Sequence, residues 1–262
     1  LLQIISNLAQ TFLVVIKSFF FQLGKYALML RQVFKKPENP SIYLRQIMVE
    51  VQNIGVDSVG IVAFISVFMG AVLAIQMAFN IDTPLIPVYT IGYVTRQSVV
   101  LEFSPTIISL ILAGKVGSRV ASELGTMRVT EQIDAIEIIG INPATYLIFP
   151  KIIAAVIFNP ILILMSMFVA VLGGWLAGIL TGLVPSSEYI YGIKAFFDAY
   201  DIVYALIKTV VFAFLIVTIS AFHGFYTSGG ALEVGASSTK AVVQSSIAII
   251  VFNLVLTQLL LS

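Results

Sequence analysis

Five stretches of this chain run almost free of charge, and that one pattern decides its solvent. No residue from Ser58 to Ile81 is charged, Glu102 is the only charge from Gln97 to Gly114, and none occurs from Ile152 to Ser187. Thr209 to Leu232 and Ala241 to Ser262 are likewise free of Asp, Glu, Lys and Arg. A bilayer crossing by a helix takes about 20 mostly apolar residues. Each run therefore predicts one transmembrane helix. The third is too long for one crossing, so its helix is expected to begin before Pro160 and to end near Gly182. With 59% hydrophobic and 10% charged residues among 262, the chain has too little charge to cover a water-facing surface, for which about 25% is usual. The expected fold class is an all-α integral membrane protein with five spans.

The first thirty residues are also greasy, but differently patterned. At 100° per residue, Gln3, Ser6, Asn7, Gln10, Thr11, Lys17, Ser18, Gln22 and Lys25 share one arc, and the opposite face is Leu, Ile, Phe and Val. A helix divided in this way lies in the membrane interface rather than through it. The rival readings are a sixth span and an uncleaved signal sequence, the latter disfavoured because no compact basic start and no small-residue cleavage site is found. Residues 1–57 are thus read as an interfacial helix plus connector, and residues 58–262 as the five-span domain, with a polar segment at 115–151. Lysine and arginine set the orientation. Eleven of them lie on the side holding the N-terminus and the 115–151 segment, against Arg96, Lys194 and Lys208 on the other. This places the N-terminus in the cytoplasm and, after five spans, the C-terminus outside.

The segment Lys115 to Lys151 is the largest polar stretch, four basic against four acidic residues. From Met127 to Ile139 it has helical period, with Glu131, Asp134 and Glu137 on one face and Ile133, Ile136 and Ile139 on another. Gly140 and Asn142-Pro143 stop it. Such a helix between two spans suits docking to a soluble partner. The competing reading rests it on lipid headgroups, which its acidic face disfavours because the cytoplasmic leaflet is negative.

Two charges sit where they are costly: Glu102 inside span two and Lys208 at the outer start of span four. Charges within spans usually face a cavity or each other. They are at comparable depth, so a pair or a shared polar pocket is one reading. A snorkelling Lys208 and a protonated Glu102 are the other. Gly174, Gly178 and Gly182 stand four apart in span three, a spacing that admits close helix approach, within the chain or between copies. Gly70, Gln76, Pro84 and Pro87 mark the outer half of span one as a helix that breaks near a cavity.

Several searches are empty. The chain has no cysteine and one histidine, His223, which removes thiolate and imidazole metal clusters. Net charge +1 offers no basic stripe for nucleic acid. Gly114-Lys115 lacks the rest of a phosphate-binding loop, since Ser109 stands where a Gly is needed and Val116 where Ser or Thr is needed. No catalytic constellation is found, so an enzyme is not expected.

The polar string ELGTMRVTEQIDAIEIIGINPATYLIFP, Glu123 to Pro150, resembles the cytoplasmic signature of the MlaE-type permeases, the membrane subunits of ABC transporters that work with MCE-domain proteins. MGAVLAIQ (Met69 to Gln76), AGKVGSRVASELG (Ala113 to Gly125) and LIKTVVFA (Leu206 to Ala213) are similar to further parts of that family. The resemblance implies a homodimer of five-span subunits, each with an N-terminal interfacial helix. It implies a coupling helix seated on a cytoplasmic ATPase, with Glu123, Arg128, Glu131 and Asp134 at the contact, and ATP and Mg bound by that partner. It further implies a phospholipid held between protomers near Leu73, Gln76, Asn80 and Ile81, with Glu102, Lys208 and Asn253 as polar groups close by. An MCE-domain protein on the outer side would form the conduit toward the outer membrane, from a bacterial inner membrane. VLEFSP around Glu102 departs from the family pattern, where an Arg commonly precedes the Glu, and Asn253 stands where an Asp is expected. The alternative function is a secondary transporter or channel with Glu102 and Lys208 on an ion or proton path; the lack of an internal repeat speaks against it.

Overall fold

The structure, a computed structural model, describes residues 2–35, 40–81 and 86–261. Side chains are described from residue 17 onward, except those of residues 19, 40–42 and 261. The polar arc from Gln3 to Thr11 and the Pro84 expected at the break of span one lie outside the described side chains.

Among the described residues the fold is entirely helical. The α-helices are α1 (Leu2–Val33), α2 (Pro40–Glu50), α3 (Val59–Asn80), α4 (Tyr89–Ser98), α5 (Ile108–Leu112) and α6 (Ser118–Val129). They continue with α7 (Gln132–Ile138), α8 (Pro143–Leu180), α9 (Ser186–Lys194), α10 (Ala199–Phe225) and α11 (Ala231–Leu261). A π-turn at Val51–Gly55 and a 3-10 turn at Val56–Ser58 join α2 to α3, and π-segments at Val99–Ile107 and Ala113–Gly117 join α4, α5 and α6. Five continuous rods result: Tyr43–Asn80, Tyr89–Val129, Pro143–Leu180, Ala199–Phe225 and Ala231–Leu260, each apolar enough to span a membrane. In lipid a helix is the one open segment that satisfies its own backbone polar groups.

The rods overrun the charge-free runs. The first helix does not begin at Ser58 but enters from Pro40, and the second starts at Tyr89 rather than Gln97 and ends at Val129 rather than Gly114. The fourth is displaced toward the N-terminus by about three turns at its start and two at its end, stopping at Phe225, so that Leu232 belongs to α11. A rod of 38 residues is about 57 Å long at 1.5 Å per residue, nearly twice a hydrocarbon core of about 30 Å. The absence of charge therefore reports where the chain is desolvated, whereas the helices run on into water with charged residues on them.

The tightest packing joins α3 to α8. A Cβ placed on Gly70 would lie 1.7 Å from the Ala170 carbonyl oxygen, and one on Gly173 would lie 2.2 Å from that of Val67. Small residues let these backbones touch. The Gly174, Gly178, Gly182 spacing contributes only in part. Gly174 lies under Gly70 and the Tyr189 hydroxyl, Gly178 meets Val184 at ordinary contact distance, and Gly182, with φ 68°, lies past the end of α8. The described part of α1 lies against α8 and α10. It buries Met29 and Val33, and its Tyr26 hydroxyl donates to Thr218 Oγ1 at 2.7 Å. Burial also raises the pKa of Tyr26 above the usual tyrosine value.

By contrast, α11 shows most of its surface. Val243, Ile247, Ile250 and Leu254 recur at helical spacing and are all more than half exposed.

Candidate functional site

Polar groups gather at the two ends of the bundle. At the end carrying α9, the second rod contains Pro105, whose ring removes the N–H that a regular helix would direct at the Leu101 carbonyl. The helix widens there into the π-segment Val99–Ile107. The Leu101 carbonyl accepts a hydrogen bond from Lys208 Nζ at 3.3 Å instead. Lys208 also lies 2.8 Å from Glu102 Oε1, donates to the Tyr204 hydroxyl at 2.8 Å, and stands 3.3 Å from Thr257 Oγ1. An ammonium has three protons, so the two short contacts are full bonds and the two long ones share the third. Glu102 Oε2 accepts from Asn253 Nδ2 at 3.1 Å and lies 3.1 Å from the Thr106 hydroxyl. The Lys208 side chain is 0% exposed and that of Glu102 is 42% exposed.

The pair anticipated from the sequence is therefore formed, and Lys208 does not snorkel. It sits in the third turn of α10 rather than at the start of a span, because α10 begins at Ala199, capped by the Asp198 side chain on the Tyr200 N–H at 2.9 Å. Asn253 joins the cluster from α11. The four first-span residues stand apart from it within one chain. Leu73 is buried in the main core, Ile81 packs beside Ile91, Val184 and Tyr189, and Gln76 and Asn80 are exposed. Their helix packs chiefly on α8 and α4, whereas α11 packs chiefly on α10 and α6.

Below this cluster three buried serines link three helices. Ser66 donates to Ser166 at 2.8 Å, and Ser166 to Ser104 at 3.1 Å. No periodicity marks them in the sequence, since each is a lone hydroxyl in an apolar run. Arg96, only 4% exposed, donates to the carbonyls of Ile193, Ala195 and Phe196, closing the C-terminus of α9.

At the opposite, lysine-rich end, the helix expected from Met127 to Ile139 is broken. α6 stops at Val129, and Glu131 takes a left-handed conformation, φ 60° and ψ 12°, before α7 starts. Neither Gly nor Pro announces this turn, which is why periodicity ran through it. Within α7, Ile133 is fully buried and Glu131 and Glu137 are exposed, while Ile138 and Ile139 are 85% and 70% exposed. The Ile139 end of the expected apolar stripe thus faces outward. Arg128 and Asp134 form an ion pair at 2.6 Å across the turn. Glu123 points back into the protein, both of its oxygens 2.8 Å from Lys151 Nζ. Nothing in the sequence singles out Lys151 as a structural centre, because a charge flanking an apolar run reads as a boundary mark. His223, in the last turn of α10, pairs with Gln244 at 2.8 Å. Among the described residues no group of His, Asp and Glu is arranged to hold a metal ion.

The sequence model of the family described as Permease MlaE matches residues 47–259. The chain is 36% identical over 237 residues to a probable ABC transporter permease protein of Rickettsia bellii, covering 90% of this chain and 91% of that one. A protein of the same description from Rickettsia typhi is 38% identical over 221 residues, 84% and 85% of the two chains. The chloroplastic protein Trigalactosyldiacylglycerol 1 of Arabidopsis thaliana is 36% identical over 223 residues, 82% of this chain and 61% of that one.

Proposed function

The chain belongs to the MlaE permease family, and on that premise we propose that this ABC transporter permease moves phospholipid as one half of a homodimer. The observation that carries the lipid reading is a division of polarity along two exposed helices. On α3, Phe64, Phe68 and Val72 are more than half exposed, and Gln76 and Asn80 follow toward the α9 end. On α11 the exposed Val243, Ile247, Ile250 and Leu254 run toward the same end, where Asn253 donates to the Glu102 that pairs with Lys208. An amphiphile fits that division, its acyl chains on the apolar faces and its headgroup near the polar cluster. Each buried CH₂ contributes about 0.8 kcal/mol, so the chains supply most of the affinity. A second copy would close the pocket, bringing the exposed Gln76 and Asn80 of one protomer, with Ile81 beside them, toward α11 of its partner, while Leu73 stays buried in its own core behind them. The Arabidopsis relative carries a galactosyl glycerolipid in its name, which supports a diacylglycerol-based cargo and leaves the phosphate headgroup to the proposal.

In this reading the lysine-rich end is cytoplasmic, the membrane is a bacterial inner membrane, and an MCE-domain protein takes up or delivers the lipid on the other side. ABC transporter permeases are driven by ATPase subunits, and ATP and Mg belong to those chains. Here α7 is the coupling helix. Its exposed Glu131, Glu137, Ile138 and Ile139 offer a mixed acidic and apolar contact, and Arg128 and Asp134 hold the turn that presents it. Glu123 acts one step behind, through Lys151. ATP-driven closure moves the α7 ends, the first, second and fifth spans shift against their dimer mates, and the lipid pocket collapses. The Glu102–Lys208 pair is then part of the pocket wall and not an ion path.

The test is charge reversal at the contact. Glu131→Lys, alone and with Asp134→Lys, is expected to release the ATPase on purification while the permease still elutes as a folded dimer. A complex that assembles normally with both changes would sink the coupling assignment.

A further inference from the structure

The first span does not enter the membrane as a regular helix. Between α2 and α3 it passes through the π-turn Val51–Gly55 and then the 3-10 turn Val56–Ser58. Such interruptions mark places where a helix is redirected. Gly55 lies flat against Phe158 of α8, where a Cβ would come within 2.2 Å of the ring. This irregular stretch is gripped from the second rod. Arg119 Nη1 donates to the Asn53 carbonyl at 2.9 Å and lies 3.1 Å from Asp57 Oδ2, and Lys115 Nζ donates to the Asp57 carbonyl. Just before it, Glu50 Oε1 stands 2.5 Å from Lys151 Nζ, the same ammonium that holds both oxygens of Glu123 on α6. The three protons of Lys151 thus meet three carboxylate oxygens, and its side chain is 2% exposed.

The contacts share one geometry. Lys115, Arg119 and Glu123 recur every four residues, so they line one face of the rod that ends at Val129, one turn before α7. All three reach the irregular stretch or the residue before it, directly or through Lys151. We infer that Arg119, Lys115 and Lys151 are positioning residues that lock α6 to the Glu50–Ser58 joint, so that a displacement of α7 is delivered to the first span at that joint. The inference rests on the proposed ATPase coupling at α7 and assigns its route toward the lipid site. Packing of α3 on α8 through Gly70 and Gly173 then lets the span pivot as a stiff rod.

The chain has no cysteine, so a single introduced thiol reports on the span. Phe79→Cys, exposed near the far end of α3, would be labelled with a maleimide in membranes holding the whole complex, with and without a non-hydrolysable ATP analogue. The analogue is expected to change the labelling rate about fivefold, at the lower end of common coupling strengths. Arg119→Asp should abolish that response with the ATPase still bound, and Arg119→Asp with Asp57→Arg should restore it. Because this pair is half-exposed, its loss leaves folding intact; Lys151→Met is the second variant and should also silence the response. A full response in Arg119→Asp, or a lost response that the reversed pair fails to recover, overturns the inference. An ATPase missing from the unmodified complex overturns the underlying coupling reading instead, and this inference with it.

Discussion

Lys151 and Lys208 are both buried lysines within long apolar rods, and their surroundings differ in kind. Lys151 meets two carboxylates from two other helices, Glu50 on α2 and Glu123 on α6, so its cluster carries an excess negative charge. Lys208 meets one carboxylate and then neutral groups, the Tyr204 and Thr257 hydroxyls and the Leu101 carbonyl, so its cluster is neutral overall. The difference follows from position. Exposure does not separate the two carboxylates, 43% for Glu123 and 42% for Glu102. Glu123 belongs to the polar 115–151 segment, where a second carboxylate is tolerable, and Glu102 lies inside an otherwise charge-free run. Deeper in a span, every additional charge must be matched. The first arrangement suits a knot among moving helices, the second a wall that presents polarity to an amphiphile without carrying net charge.

Removing each lysine tests that contrast most strongly. Lys208→Met leaves Glu102 without its cation and is expected to cost about 3 kcal/mol, the low end for a broken buried pair because Glu102 keeps Thr106 and Asn253. Thermal unfolding of the purified protein in detergent would read it. Lys151→Met should cost less, about 2 kcal/mol, since its two carboxylates stand at the end of the bundle beside a polar segment and not inside a span. Equal losses at the two sites would break the comparison. Lys208→Met combined with Glu102→Leu should return to within about 1 kcal/mol of the parent, because removing both charges removes the uncompensated one. A double change as damaging as the single one would mean that the hydroxyls, not the charges, hold the cluster. Smallest of all, Asp57→Asn should change stability by less than about 1 kcal/mol, as exposed pairs do.

The sequence disclosed the parts of this contrast unequally. Five spans were legible because lipid removes charge from a helix face over a whole crossing. Glu102 and Lys208 were legible because a charge within such a run is conspicuous. Lys151 was not, because it stands where a run begins, and there a cation is expected anyway. The ends of the rods were hidden for the same reason: Glu50, Arg119 and Glu123 look like loop residues, yet all lie on helix. The close approach of α3 and α8 depends on Gly70 and Gly173 meeting each other's rods, a register between two helices that no single-helix spacing contains. The break at Glu131 was hidden because a non-glycine residue holds the left-handed turn, fixed by the Arg128–Asp134 pair.

On the proposed function this permease is driven by a separate ATPase and carries phospholipid between two copies of the chain. The most direct measurement is purification of the tagged chain from its native membrane in mild detergent, with mass spectrometry of every protein and lipid retained. The expected result is a dimer of this chain with an ATPase, an MCE-domain protein and bound phospholipid. A chain recovered alone and free of lipid across a range of mild detergents would contradict it.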